Sequence, residues 1–246
     1  GFRIQTSGKR VIMLSSEDGR ADCETFYPAS RGRTEVVRFA IDLDPAEVHG
    51  RAEAARQAHG IDGRFFYLPN QFWSHKNHSV VVEALIELSR RGALAEIPPV
   101  ILTGRTEDPR DPDLFKRLME KVKTNGLESH FRHLGLIPYA DVFALNAAAD
   151  HLINPSLFEG WSTTVEEAKA LGTPMLLSDI PLHREQAPDA AFFDPASAAA
   201  LADILLTAAR GPHRPKPDLH SLVVAQDLRR QAHAAALLAA LKRAIS

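Results

Sequence analysis

The chain has 246 residues, 45% apolar and 24% charged, and its 29 basic and 31 acidic side chains leave a formal net charge of −2. That size and balance fit one large domain, or one domain plus part of another, with an ordinary core; they argue against a general nucleic-acid or anionic-membrane binder, while allowing a local basic groove. A single cysteine, Cys23, read as a small side chain of the fold, excludes an intramolecular disulfide and fits a reducing compartment.

No apolar run reaches the roughly 18 residues of a membrane span, and no signal-peptide pattern is present. The opening on Gly1 rather than Met, in a segment containing Lys and Arg, reads as a piece of a longer protein. Val11–Ser15 is predicted as a short buried strand, Glu17–Tyr27 as a helix stopped by Pro28, and Glu35–Phe39 as a second strand. This β-α-β unit is too small to bury its own faces. Residues 40–62 read as a connection carrying a helix from Pro45 to about His59, with Pro45 in the first turn, where it is tolerated. A boundary falls near Asp42–Pro45, which divides the chain into residues 1–42, 43–220 and a terminal helical segment 221–246.

After Gly63 the pattern is regular. Strands are predicted at Arg64–Pro69, Pro99–Thr103, His130–Leu134, His151–Asn154, Pro174–Ser178 and Ala191–Phe193. Helices are predicted at Asn77–Arg91, Asp113–Asn125, Ala140–Ala148, Thr163–Leu171 and Ala196–Arg210, then a Pro-rich basic loop at Gly211–Pro217 and a long Ala/Leu-rich helix at Ser221–Ala244. Val81, Leu85 and Leu88, and then Leu114, Leu118 and Val122, fall at helical spacing, and Gly126 and Gly172 are helix stops. Strands alternating with helices at this spacing predict an α/β fold, a doubly wound parallel sheet covered on both faces. Ligands of such sheets bind beyond the carboxyl ends of the strands. That rim comprises Asn70–Lys76, Gly104–Arg105, Gly135–Pro138, Pro155–Glu159 and Asp179–His183.

The most informative stretch is Asn154–Glu167. It places Glu159 in a loop after a strand and Glu167 in the first turns of a helix, with Gly160, Ser162, Thr163 and Thr164 between them. A helix start attracts phosphate, and carboxylates accept hydrogen bonds from sugar hydroxyls, so the segment suits both halves of a nucleotide sugar. The plainer reading is capping: Thr163 at the N-cap with Glu166 three residues on forms a capping box, which accounts for Glu166 but not for Glu159. Lys76 opens a helix after a strand and loop and can reach an anion there, although a solvated lysine is the commoner occupant of such a position. The pairs His75/His78 and His130/His133 lack partners at metal-site spacing and read as surface or partly buried histidines. Asp108, Asp111 and Asp113 read as a solvated acidic turn. Trp73 and Trp161 either pack or line the cleft. No Gly-x-Ser-x-Gly, Walker A or Gly-x-Gly-x-x-Gly pattern occurs.

Phe158-Glu159-Gly160-Trp161, followed by Glu167-Ala168-Lys169-Ala170-Leu171-Gly172-Thr173-Pro174, resembles the signature of retaining GT-B glycosyltransferases of the family 4 type (glycosyl transferases group 1). Leu134–Pro138, Ala149-Asp150, Pro155-Ser156, His75-Lys76-Asn77 and Ser178–Pro181 match in the same order, from about residue 64 to 210. The resemblance implies a Rossmann-like nucleotide-sugar donor domain at 43–220. Residues 1–42 would be the last β-α-β of an amino-terminal acceptor domain otherwise missing, and 221–246 the helix that crosses back toward it. It implies that Glu159 contacts the sugar, Glu167 holds the ribose, Lys76 binds the pyrophosphate, amides at Gly160, Trp161, Ser162 and Thr163 complete the phosphate cradle, and the backbone near Ile137 meets the base. The family usually carries Gly-Arg where this chain has Asn70 and Gln71, so one phosphate-binding cation is absent, with His75 or Arg105 as candidate substitutes.

The expected activity is transfer of a sugar from a nucleotide sugar to an acceptor hydroxyl with retention, without metal or other cofactor, in polysaccharide or lipopolysaccharide assembly. The donor expected is a GDP- or UDP-sugar, since the side chains do not choose the nucleotide, sugar or acceptor. The resemblance also implies a cytoplasmic protein that associates peripherally with the inner face of the membrane when full-length and is inactive as this piece alone; the charge balance argues against nucleic acid as a partner. A nucleotide-sugar epimerase of the same architecture and a non-catalytic nucleotide-sugar-binding module stay open as alternatives.

Overall fold

The computed structural model describes residues 10–213 and 217–245; the lead segment 1–9 and residues 214–216 of the expected Pro-rich loop lie outside the described residues. Strand β1 (Ile12–Leu14), helix α1 (Glu17–Phe26) and strand β2 (Thr34–Val36) form a small parallel unit, with Ile12 opposite Thr34. Ser16 caps α1 by accepting from the Gly19 amide at 2.9 Å, and acidic Glu17 and Asp18 sit in its first turn, where the helix dipole favours them. Helix α2 (Pro45–Ala58) starts on Asp44, whose carboxylate accepts from the Ala46 amide at 2.8 Å.

Six strands follow: β3 (Phe66–Leu68), β4 (Val100–Leu102), β5 (Phe131–His133), β6 (His151–Asn154), β7 (Met175–Ser178) and β8 (Ala191–Phe193). All pair in parallel in the order β5-β4-β3-β6-β7-β8. The helices between them are α3 (His78–Arg90), α4 (Leu114–Thr124), α5 (Tyr139–Ala148), α6 (Thr163–Leu171), α7 (Pro181–Gln186) and α8 (Ala198–Arg210), and α9 (Leu219–Ile245) ends the described chain. The fold is α/β and Rossmann-like.

Alternation along β3 explains the two layers. Phe66 and Leu68 face one side, against Val81, Leu85 and Leu88 of α3, Leu118 and Val122 of α4, and Leu201 and Leu205 of α8. Phe65 and Tyr67 face the other, against Ala144 and Leu145 of α5 and Ala168 of α6. Successive side chains of a strand point to opposite faces, so a sheet covered on both sides needs an unbroken apolar run. Each such buried side chain contributes about 1.5–3 kcal/mol of transfer free energy.

At the amino end of the sheet, Arg64 forms an ion pair with Asp150 and donates to the carbonyls of Ala209 at 2.7 Å and Ala208 at 3.1 Å, which ties the last turn of α8 to the strands. The strand order reverses between β3 and β6, and a doubly wound sheet opens its binding crevice at that reversal, at the carboxyl ends of the strands. Among the described residues, no helix is long and apolar enough to cross a membrane.

Candidate functional site

The loop leaving β3 is held from three directions. Phe72 is fully buried and stacks on His78, with ring centroids 4.1 Å apart and planes at 16°. Its amide donates to the Arg105 carbonyl at 2.9 Å, and the Arg105 amide donates to Gln71 Oε1 at 2.7 Å. Gly104 of the neighbouring loop has φ 140°, and a Cβ there would stand 2.5 Å from the Asn70 carbonyl oxygen, so the two loops approach as only glycine permits. Asn77 then takes the left-handed conformation at φ 53° and donates from Nδ2 to the carbonyls of Pro155 at 3.2 Å and Pro195 at 3.0 Å.

Asp108, expected as a solvated turn residue, has a side chain with no solvent exposure. It accepts from the Ser74 amide at 2.9 Å and hydroxyl at 3.1 Å, and from the Arg110 amide at 3.0 Å. These amides hold its carboxyl well below the usual carboxylate range. The turn Ser74–Lys76 is thereby fixed to the far side of the β4 loop. Sequence reasoning missed this because the partners lie 34 residues apart.

The loop leaving β6 is built on buried polar side chains. Asn154 accepts from Asn70 Nδ2 at 3.2 Å and from the Ser156 hydroxyl at 2.7 Å, and donates to the Ser162 hydroxyl at 3.0 Å. Ser156 Oγ also lies 2.7 Å from Glu159 Oε1, and Ser178 Oγ donates to the Ser156 carbonyl at 2.5 Å. Low local polarity makes each of these bonds strong and each loss costly, so the network gives Glu159 one orientation. On the outer side, the Gly160 carbonyl accepts from the Ser15 hydroxyl at 3.1 Å. Nearby, the Glu185 carboxylate accepts from the Glu17 amide at 2.9 Å, the Asp18 amide at 3.2 Å and Arg38 Nε at 3.0 Å, which seats the small β1–α1–β2 unit against this loop.

Lys76 and Glu159 meet across the strand-order reversal: Nζ lies 2.5 Å from Oε1, with the side chains 13% and 8% exposed. Beside them is a cleft of about 360 Å³ whose walls include Gln71, Lys76, Ile137, Tyr139, Thr163 and Glu167. Burial pushes the Glu167 carboxyl up to about 7, against the lowering effect of the Tyr139 hydroxyl 3.4 Å away. Helix α6 starts at this cleft. Its N-cap is Ser162, and no side chain caps it. The expected capping box with Thr163 is therefore absent. Glu166 turns instead to Gln186 Nε2 at 3.0 Å and Lys169 Nζ at 2.9 Å, partners supplied by tertiary packing that local spacing does not reveal.

The structure thus brings Gln71, Lys76, Ile137, Thr163 and Glu167 to one cleft, with Glu159 joined to it through Lys76. Arg105 is exposed, and its side chain is not among the cleft walls. Gly160 and Ser162 lie beside the cleft in the loop, and the Trp161 ring packs edge-on against Phe39 at 6.2 Å. Trp73 lines the cleft. Gln71 acts as a strut for the Arg105 amide. Among the described residues, no three His, Cys, Asp or Glu side chains gather to hold a metal ion.

Solved structures share this fold. A glycosyltransferase from Rickettsia africae superposes with a TM-score of 0.71 at 18% identity, over 99% of this chain and 62% of that one. Anabaena Alr3699/HepE in complex with UDP-glucose superposes with a TM-score of 0.66 at 19% identity, over 92% of this chain and 58% of that one. Among curated proteins, the D-inositol 3-phosphate glycosyltransferase of Corynebacterium glutamicum is 24% identical over 174 residues, 69% of this chain and 41% of the relative. Mannosylfructose-phosphate synthase of Agrobacterium fabrum is 25% identical over 123 residues, 50% of this chain and 27% of the relative. The chain therefore spans less than half the length of these curated relatives. Residues 52–218, which carry the whole cleft from Gln71 to Glu167, match the model of the glycosyl transferases group 1 family, and the chain belongs to that family.

Proposed function

We propose that this chain is the donor-binding portion of a retaining glycosyltransferase of the family 4 type, which moves a sugar from a nucleotide sugar to an acceptor hydroxyl. The observation that carries the reading is the Lys76–Glu159 pair at the strand-order reversal, beside the start of α6 that no side chain caps. Uncapped amides and the helix dipole favour a phosphate there. In this reading Glu167, in the first turns of α6, accepts from ribose hydroxyls and the Ile137 backbone meets the base; that both line one cleft supports it.

In the reaction, the bond from the anomeric carbon to the diphosphate oxygen breaks, and positive charge grows on the sugar ring while negative charge gathers on the departing diphosphate. Lys76 and the α6 amides stabilise that negative charge, and losing one such donor typically costs about 10²–10³ in rate. Glu159 orients the sugar and so lowers the entropic part of the barrier. The donor proposed is a UDP- or GDP-sugar; the UDP-glucose complex of Alr3699/HepE supports the first. The acceptor belongs to a domain outside this chain. Polysaccharide or lipopolysaccharide assembly on the cytoplasmic face of a membrane is one proposed setting. The names of the curated relatives favour a second, a small acceptor such as inositol 3-phosphate.

The test is calorimetric titration of the chain with UDP, GDP and their sugars, followed by transfer assays in the longer protein. Saturable binding of one nucleotide that Lys76→Ala weakens at least tenfold supports the reading. Absence of binding by every nucleotide, or transfer at undiminished rate in both Lys76→Ala and Glu159→Ala, refutes it.

A further inference from the structure

The donor cleft is short of positive charge. Among the described residues, Lys76 is the only cationic side chain on its walls, and a Glu159 carboxylate oxygen lies 2.5 Å from its Nζ, so the pair carries no net charge. Glu167, another wall residue, adds negative charge whenever it is ionised. The start of α6, which no side chain caps, offers roughly half an elementary charge. The diphosphate of a nucleotide sugar is a multiply charged anion, and such an anion leaves water only where opposite charge and hydrogen bonds answer it. If the cleft takes a nucleotide sugar, the reading on which this step rests, a further cation has to reach it.

Besides Lys76, the loops after β3 and β4 carry three basic side chains, His75, Arg105 and Arg110. Arg110 is committed, donating from Nε to the sealed Asp108 carboxylate at 3.1 Å. Burial first, and then the neighbouring Lys76 ammonium, push the His75 imidazole below its ordinary range, so it is neutral at neutral pH. Arg105 differs from both. Its side chain is exposed and forms no ion pair among the described residues, while its backbone is fixed on both sides: the amide donates to Gln71 Oε1 at 2.7 Å and the carbonyl accepts from the Phe72 amide at 2.9 Å. Gly104 before it and Gln71 beside it are both cleft walls. The Gln71 side chain is thus spent on holding the Arg105 backbone at the edge of the cleft. We infer that Arg105 is a donor-binding residue: its guanidinium swings from solvent over Gln71 and takes the diphosphate oxygens that Lys76 leaves unanswered. The planar fork of arginine suits two phosphate oxygens at once, and an unpaired guanidinium breaks no ion pair to reach them. Because β3 and β4 are neighbours, the two cations approach the diphosphate from adjacent loops.

The test is calorimetric titration of the 246-residue chain with UDP and GDP in buffer containing a metal chelator. Arg105→Ala keeps both backbone bonds to the β3 loop and removes only the charged side chain; it is expected to weaken the preferred nucleotide at least tenfold. Arg105→Lys, which keeps a charge, is expected to lose less. Native binding should also weaken more steeply with added salt than binding by Arg105→Ala, since one more charge is screened. Melting curves establish that the variants are folded. Full affinity in Arg105→Ala, beside a tenfold loss in Lys76→Ala, overturns the role of Arg105 and leaves the donor reading standing. Equal losses in Arg105→Ala and Arg105→Lys assign the effect to shape rather than charge and overturn it as well, as does nucleotide binding that appears only when Mg²⁺ is added. Absence of binding by the native chain under all of these conditions refutes the donor reading itself, and the role of Arg105 with it.

Discussion

The Lys76 ammonium and a Glu159 carboxylate oxygen stand 2.5 Å apart, each drawn from the loop of one of the two strands that flank the strand-order reversal. The pair is mostly buried, so its two charges answer each other more than they answer water. A diphosphate that reaches Lys76 competes with Glu159 for the same ammonium. Glu159→Gln is therefore expected to tighten binding of UDP or GDP without sugar severalfold, since it removes the competitor, while transfer in the longer protein falls by about 10²–10³. Calorimetry with the free nucleotides and initial-rate assays read the two effects. Unchanged or weakened nucleotide binding in Glu159→Gln sinks the competition argument.

With Glu167 as the proposed ribose acceptor, nucleotide binding is expected to depend on pH. Burial raises its carboxyl from 4.5 to about 7, so in the folded protein it is largely protonated at pH 6 and ionised at pH 8. Ribose hydroxyls donate best to the anion, and if only the anion binds, affinity rises about tenfold between those two values. The sign for stability is opposite: a raised carboxyl contributes stability below 4.5 that is lost as pH rises through 7. The affinity profile should flatten in Glu167→Gln, and a variant that keeps the full slope would assign it to another group.

Asp108 holds the turn that carries Lys76. Asp108→Ala leaves the Ser74 amide and hydroxyl without their acceptor, and the turn then samples other positions. Nucleotide affinity is expected to drop at least tenfold, with Asp108→Asn intermediate because it keeps one acceptor oxygen. The native carboxyl is depressed, so its contribution is present above the ordinary carboxylate range and fades as pH falls toward the folded value. Titration of both variants with the preferred nucleotide tests the ordering.

Gly104→Ala forces a Cβ to within 2.5 Å of the Asn70 carbonyl oxygen, at a backbone angle that side chains rarely adopt. Overpacking of this kind costs about 1–3 kcal/mol. Urea unfolding should show the loss, and because Asn70 anchors Asn154, nucleotide affinity should fall with it. Gly60→Ala also has positive φ but meets nothing within 4 Å, so it is expected to show backbone strain alone.

Much of this architecture was legible in the sequence because it is written in local periodicity. The helix Thr163–Leu171 runs over the residues predicted, and Val81, Leu85 and Leu88 all face the core, as their spacing demands. Lys76, Ile137, Thr163 and Glu167 reach one cleft because parallel strands deliver their loops to one edge. What the sequence hid is set by partners distant along the chain. Asp108 looked like one of three solvated acids until Ser74 met it. Glu166 looked like half of a capping box, but Gln186 and Lys169 claim it. The aromatic character of Trp161 was visible, but its direction was not; Phe39 of the small unit fixes it.

The clasp of Glu185 on the first amides of α1, together with the Ser15 hydroxyl on the Gly160 carbonyl, has a mechanical consequence. The β1–α1–β2 unit grips the backbone one residue beyond Glu159, so the unit and the Glu159 carboxylate are mechanically adjacent. Any tilt of that unit would reach Glu159 within a single peptide link, with no need to pass through the sheet.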